Sequence, residues 1–334
     1  MEVKTRQQFP HDWAGMQHNL AGALGDEARN NQGAAAAQLY SEAVKVYRTA
    51  LEIRTHEQYP SEWAETQVNL GNSLVEQARY SQASDATKLL DQAVTAFRAA
   101  QEVYTREQFP YEWALSQNDQ GFALCTQAGL SQGADAVLLL TQSIKAYRAA
   151  LEVRTYDQFP SEWAKTQNNL GIALGDLALQ NQGPEAQQLF TQAVIAVHSA
   201  LKIYTHEQSP IAWATSQELL ADLLREQAQH SQGTESGQLL AQAVTAYRAV
   251  LEVYTREQLP QAWAATQGNL GNTLWQQAQH SQQGPEMAQL LTEGAAAYRA
   301  ALEIWTPNNF PENYNWTTNI LTKVESVLRQ LQTR

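Results

Sequence analysis

Apolar and polar positions alternate along this chain on two superimposed periods. In the stretch from Phe159, Trp163, Leu170, Leu174 and Ala178 fall on one face of a helix together with the small Gly171. A Gly/Pro/Asn turn signal interrupts the pattern at Gln180–Pro184. The face then resumes at Leu189, Ala193, Val194, Val197, Ala200 and Leu201, again at three-and-four spacing. Each helix is about 20 residues, so about 30 Å long. Pro160 suits a first helical position, and Glu162 complements the positive end of the helix dipole. The next proline of the same kind, Pro210, ends the second helix and opens the next pair.

The longer period is set by tryptophan. Trp13, Trp63, Trp113, Trp163, Trp213 and Trp263 are spaced by 50 residues every time. A fixed period in the range of 20–50 residues is the mark of stacked units that bury their apolar faces against their neighbours. The expectation is a single solenoid over 1–334, with units at 10–59, 60–109, 110–159, 160–209, 210–259 and 260–310. The sixth unit holds one extra residue around Gln283, in the inter-helix turn, where added length costs little. Residues 1–9 read as a partial helix. Residues 311–334 read as a capping helix, with Tyr314, Trp316, Ile320, Leu321, Val324, Leu328 and Leu331 on the apolar side and Lys323, Arg329 and Arg334 breaking the repeat consensus.

Leu170-Gly171 with Leu174, then Ala193, Val197 and Ala200, follow the small/large pattern of tetratricopeptide repeats. Gly121, Leu124, Tyr147 and Ala150 do so in the third unit, and Leu220, Leu224, Ala243 and Tyr247 in the fifth. The chain resembles that family over nearly its whole length. With units of about 50 residues and the pattern FPxxWAxTQNNLGxAL, it is most similar to the bacterial long-unit subgroup found beside caspase-like protease domains, and to the kinesin light chain type. The resemblance implies an all-α, right-handed α-solenoid of helix-turn-helix repeats. First helices would line a concave groove that holds a peptide or a partner's segment.

Composition narrows the partners. The net charge of -12 works against a phosphate-binding surface, so no nucleic acid is expected. A single cysteine, Cys125, excludes a disulfide framework within the chain. No secretory signal and no 18-residue apolar run is visible, so no membrane is expected and the location reads as cytoplasmic. The seven histidines form no HExxH, and neither a nucleophile–base arrangement nor a phosphate-binding glycine loop occurs. The expectation is no enzyme, no metal and no cofactor.

The candidate site lies on the first helices. Asn19, Asn69, Asn169 and Asn269 share a column that Asp119 and Leu219 interrupt. In related arrays an Asn at this place forms a ladder along peptide backbone. An amide suits that task, with one acceptor and two donors. One turn further come Asn72, Phe122, Ile172, Asp222 and Asn272, then Val75, Cys125, Arg225 and Trp275. These columns vary while the packing columns do not, as a specificity surface requires. Phe122 and Trp275 are the aromatic anchors. Asp119, Glu218, Asp222 and Glu226 would make the middle acidic, which favours a segment carrying Lys or Arg. The reading is therefore an interaction module. The alternatives are a self-assembling scaffold (a homo-oligomer) or a regulatory adaptor of a separately encoded effector enzyme.

Two other columns read as structural. Gln17, Gln67, Gln117, Gln167, Gln217 and Gln267 are expected to bond between helices. Arg48, Arg98, Arg148, Arg248 and Arg299 each precede an acid by four residues, the spacing of an intrahelical ion pair.

Overall fold

The computed structural model describes residues 6–281 and 284–332, and among them every regular element is helical. The helices are α1 (Pro10–Arg29), α2 (Gly33–Leu51), α3 (Pro60–Ala78), α4 (Ala83–Ala100), α5 (Pro110–Ala128), α6 (Gly133–Leu151), α7 (Pro160–Leu179), α8 (Gly183–Ala200), α9 (Pro210–Gln229), α10 (Thr234–Val250), α11 (Pro260–His280), α12 (Gly284–Leu302) and α13 (Pro311–Gln332). The chain divides into two compact units, Met1–Ala173 and Leu174–Arg334, with the boundary inside α7. In the first, α1 packs on α2, α3 on α4 and α5 on α6; in the second, α9 packs on α10, α11 on α12, and α13 closes on α12. These are tandem helical hairpins, the all-α solenoid expected. Residues 6–8 form a turn, and the rest of the partial helix expected in 1–9 lies outside the described residues. So does the insertion around Gln283.

Local chemistry sets the ends of the helices. Each odd-numbered helix opens on a proline, whose missing N–H needs no partner there. The preceding turn is pinned by a threonine: Thr55 Oγ1 accepts from Gln58 N at 3.3 Å, and the same bond recurs at Thr105, Thr155, Thr205, Thr255 and Thr306. Inside the hairpins, Gly33, Gly133, Gly183 and Gly233 adopt φ between 57° and 64°, the left-handed region that favours glycine.

Small residues let the helices approach. Ala14, Ala64, Ala114, Ala164, Ala214 and Ala264 are all fully buried. Within hairpins an aromatic ring from the second helix lies on a glycine of the first. A Cβ on Gly71 would stand 2.7 Å from Phe97 Cε1, and one on Gly271 2.8 Å from Tyr298. The tryptophan column borders these cores half-buried: Trp213 packs on a cluster of Ala214, Val250 and Tyr254. Capping by α13 is apolar on one side, where Val324 is buried with Leu291 and Tyr298 and flanked by Ile320, Leu321 and Leu328.

The arginine column is corrected. Arg48 bonds Gln92 and Arg98 bonds Gln142; Arg248 reaches Glu293 and Arg299 reaches Glu325. These contacts tie α2 to α4, α4 to α6, α10 to α12 and α12 to α13. The acids instead pair with the turn that precedes their own hairpin: Arg6 with Glu52 and Arg256 with Glu303 at 2.5 Å, and Arg106 with Glu152. These ion pairs are about half exposed and contribute at most about 1 kcal/mol each.

Candidate functional site

Within each unit, helical packing leaves a stripe open on the first helices. In the first unit Asn69, Asp119 and Asn169 are half-buried and Asn19 is exposed. One turn on, Asn72 is exposed, Phe122 is 41% exposed and Ile172 40%. The neighbouring Leu70, Gly71 and Leu74 are buried. In the second unit Leu219, Asp222, Asn269, Asn272 and Trp275 hold the same columns half-buried. Of the variable columns, Asn72, Phe122, Ile172, Asp222, Asn272 and Trp275 stay open or half-open, whereas Val75 is buried.

The Asn column of the first unit is braced from the preceding helix. Thr66 Oγ1 donates to Glu62 O at 2.6 Å and accepts from Arg54 Nη1 at 3.1 Å. With its own proton donated to Glu62 O, Thr66 Oγ1 accepts a hydrogen bond from His18 Nδ1–H at 3.0 Å. That fixes His18 as the Nδ1–H tautomer, and its Nε2 accepts from Asn69 Nδ2 at 3.4 Å. Burial pulls the imidazole below its ordinary pKa, in keeping with a neutral ring. The pattern repeats two hairpins on. Arg154 donates to Thr166, Thr166 lies 3.1 Å from Asn118 Oδ1, and Asn169 Nδ2 donates to that same oxygen at 3.3 Å. Each of these Asn side chains spends one N–H on its neighbour.

Asp119, which breaks the column, is half-buried among groups that partly offset the cost of its charge. Arg154, 2% exposed, stands close enough to favour its charge, and Asn118 and Asn72 donate to it. Burial still wins and pushes the Asp119 carboxyl above the usual range. A raised value means that protonation favours the folded state. That contribution is complete below about pH 4 and is lost as pH rises through the folded value. Asp119→Asn therefore raises the denaturation midpoint at pH 7 and leaves it unchanged at pH 3; a lower midpoint at pH 7 would contradict the assignment.

In the second unit the stripe opens into a cavity of about 500 Å³ between α9, α11 and α13. Its walls include Trp275, Trp305, Trp316, Asn269, Asn272, Arg225 and Glu226. Gly268 makes the room, since a Cβ there would meet the Trp305 indole at 2.7 Å. Two side chains of the variable column are anchored on tyrosines: Tyr298 donates to Asn272 Oδ1 at 2.6 Å, and Tyr247 to Asp222 Oδ1 at 2.5 Å. Arg225 lies 3.3 Å from Asp222 and 3.0 Å from Glu226. Burial, and for Glu218 the neighbouring Asp222, pushes both the Glu218 and Asp222 carboxyls up.

The structure brings Asn269, Asn272 and Trp275 to one cavity, joins Asn72 and Asn118 to Asp119, and joins Asn169 to Asn118. Trp305, Trp316 and Arg154 were missed in the sequence reading. A signal existed: Trp305 replaces the Arg54, Tyr104, Arg154, Tyr204 and Tyr254 of its column, and Gly268 is the smallest residue of its own. A second paired change went unread in the third unit. Gln101 and Gln120 each replace a leucine of the repeat and bond each other at 3.0 Å. They sit beside Trp113 and Gln117 at a cavity of about 510 Å³. The Gln column is half-buried throughout. Among the described residues no group of three or more His, Cys, Asp or Glu could hold a metal, and no helix is long and apolar enough to cross a membrane.

No family model and no curated protein sequence matches the chain. Solved structures do. The nuclear import adaptor Nro1 of S. pombe superposes with a TM-score of 0.54 at 12% identity, covering 92% of this chain and 99% of that one. A second crystal form of Nro1 gives a TM-score of 0.52 at 12% identity, over 96% and 98%. The fold is tetratricopeptide-like. At such identity the likeness speaks for architecture, and function has to be argued from the surface.

Proposed function

We propose that this chain is a non-enzymatic interaction module that holds an extended segment of a protein partner on the faces of its first helices. The half-open stripe carries the reading. Asn69 and Asn169 are oriented by His18 and Asn118 through one N–H each. Each keeps a carbonyl oxygen and a second N–H, the pair that a peptide main chain takes up. Side chains fixed before binding lose less entropy on complex formation. Phe122 and Ile172 supply apolar contact beside them. The net charge of -12 disfavours nucleic acid and favours a segment with Lys or Arg. The adaptor role of Nro1, a protein of the same architecture, is in keeping with this reading.

The test is Asn69→Ala, Asn169→Ala and Asn269→Ala combined. At about 1 kcal/mol per hydrogen bond, a partner fragment recovered from the native cell binds roughly 100-fold more weakly by calorimetry. Full-strength binding by a variant with unchanged circular dichroism contradicts the proposal.

A further inference from the structure

We propose that the cavity ringed by Trp275, Trp305 and Trp316 receives an arginine side chain of the bound segment. The inference rests on the first-helix face being the one that carries the ligand. Three indoles from three elements converge here: α11, the turn after α12, and α13. A volume of about 500 Å³ admits a guanidinium, its methylenes and the flanking main chain. Tryptophan is the best aromatic partner for a cation, and a planar guanidinium stacks on its face while the methylenes cover apolar wall. Trp316 is 46% exposed, so one indole is presented at the mouth.

Charge selects the occupant. Glu226 lines the cavity, and Asp222 and Glu218 follow one and two turns back on α9. The wall's own cation, Arg225, is already held between Asp222 and Glu226, so it offsets one carboxylate of the three. An incoming cation thus meets three indoles beside the Arg225–Glu226 pair, with Asp222 and Glu218 adding negative charge along α9 outside the lining, whereas a neutral side chain of equal shape gains only the apolar contact. Asn269 and Asn272 stand on the same wall to take the adjoining main chain. The paired presence of Gly268 and Trp305 in the last hairpin alone shows that the wall is local to this unit.

The probe is the blocked tripeptide acetyl-Gly-Arg-Gly-amide, titrated into the full chain and followed by the indole N–H resonances. Its isosteric control carries citrulline, which has the shape of arginine without the charge. The expected result is movement of the Trp275, Trp305 and Trp316 signals, with citrulline bound about fivefold more weakly or worse. Trp316→Leu and Glu226→Gln each weaken the arginine probe about fivefold. Equal binding of citrulline, or an arginine probe that leaves those three signals unmoved, overturns the inference. If the triple Asn variant loses the partner while the arginine probe leaves the indoles unmoved, only this inference falls. If the probe binds while that variant keeps the partner at full strength, the cavity assignment stands and the ladder falls.

Discussion

Trp163→Ala loses about 3–5 kcal/mol of stability. Trp163 sits at the start of α7, half-buried, with its backbone N–H bonded to Phe159 O at 2.8 Å and its ring edge-on to Tyr156 at 5.3 Å. The turn residue in this place meets the tryptophan in other hairpins too, as Arg6 over Trp13 and His206 against Trp213. Truncation removes apolar area and leaves a gap between turn and helix that only partial relaxation fills. In a stacked array each hairpin is stabilised by its neighbours, so the loss weakens the adjoining interface as well. A urea titration should show a lower midpoint, with Trp163→Phe in between. An unchanged midpoint would remove the tryptophan column from the account of packing.

Gly71→Val costs about 3 kcal/mol through overpacking. A Cβ at this position would come within 2.7–3.0 Å of three atoms of the Phe97 ring, and Phe97 is fully buried. Glycine inside a helix is itself unfavourable by about 0.5–1 kcal/mol against alanine, so its presence here needs the ring as a reason. The first and fifth hairpins carry Ala21 and Ala221 at the same place, opposite Tyr47 and Tyr247. Gly71→Ala is therefore milder than Gly71→Val, and Phe97→Leu in the valine background recovers part of the loss. Thermal melts of the three variants check the order. A valine variant as stable as the parent chain would contradict the close contact.

Much of this architecture is legible in the chain, because periodicity and turn chemistry are local. Pro160 opens α7, Gly183 begins α8, and both follow from single residues at fixed offsets. The site columns are legible for the same reason: 50-residue spacing puts Asn69, Asp119 and Asn169 on successive hairpins. Contacts between columns are harder to read. Glu52 stands four residues after Arg48, yet it pairs with Arg6. The bracing of Asn69 by His18 is hidden likewise, since the histidine belongs to the previous unit and its column holds valine, asparagine, glutamate and glycine elsewhere. Trp316 reads as part of a cap from its helix, and only the arrangement of α9, α11 and α13 turns it towards a cavity.

Hydrogen exchange on the chain with its partner segment bound tests the central claim most directly. Backbone amides along α3, α5 and α7, and along α9, α11 and α13, should gain protection, with α4, α6, α10 and α12 unchanged. Protection concentrated on those second helices, with the first helices unaffected, would place the partner on the other side of the hairpins and contradict the account.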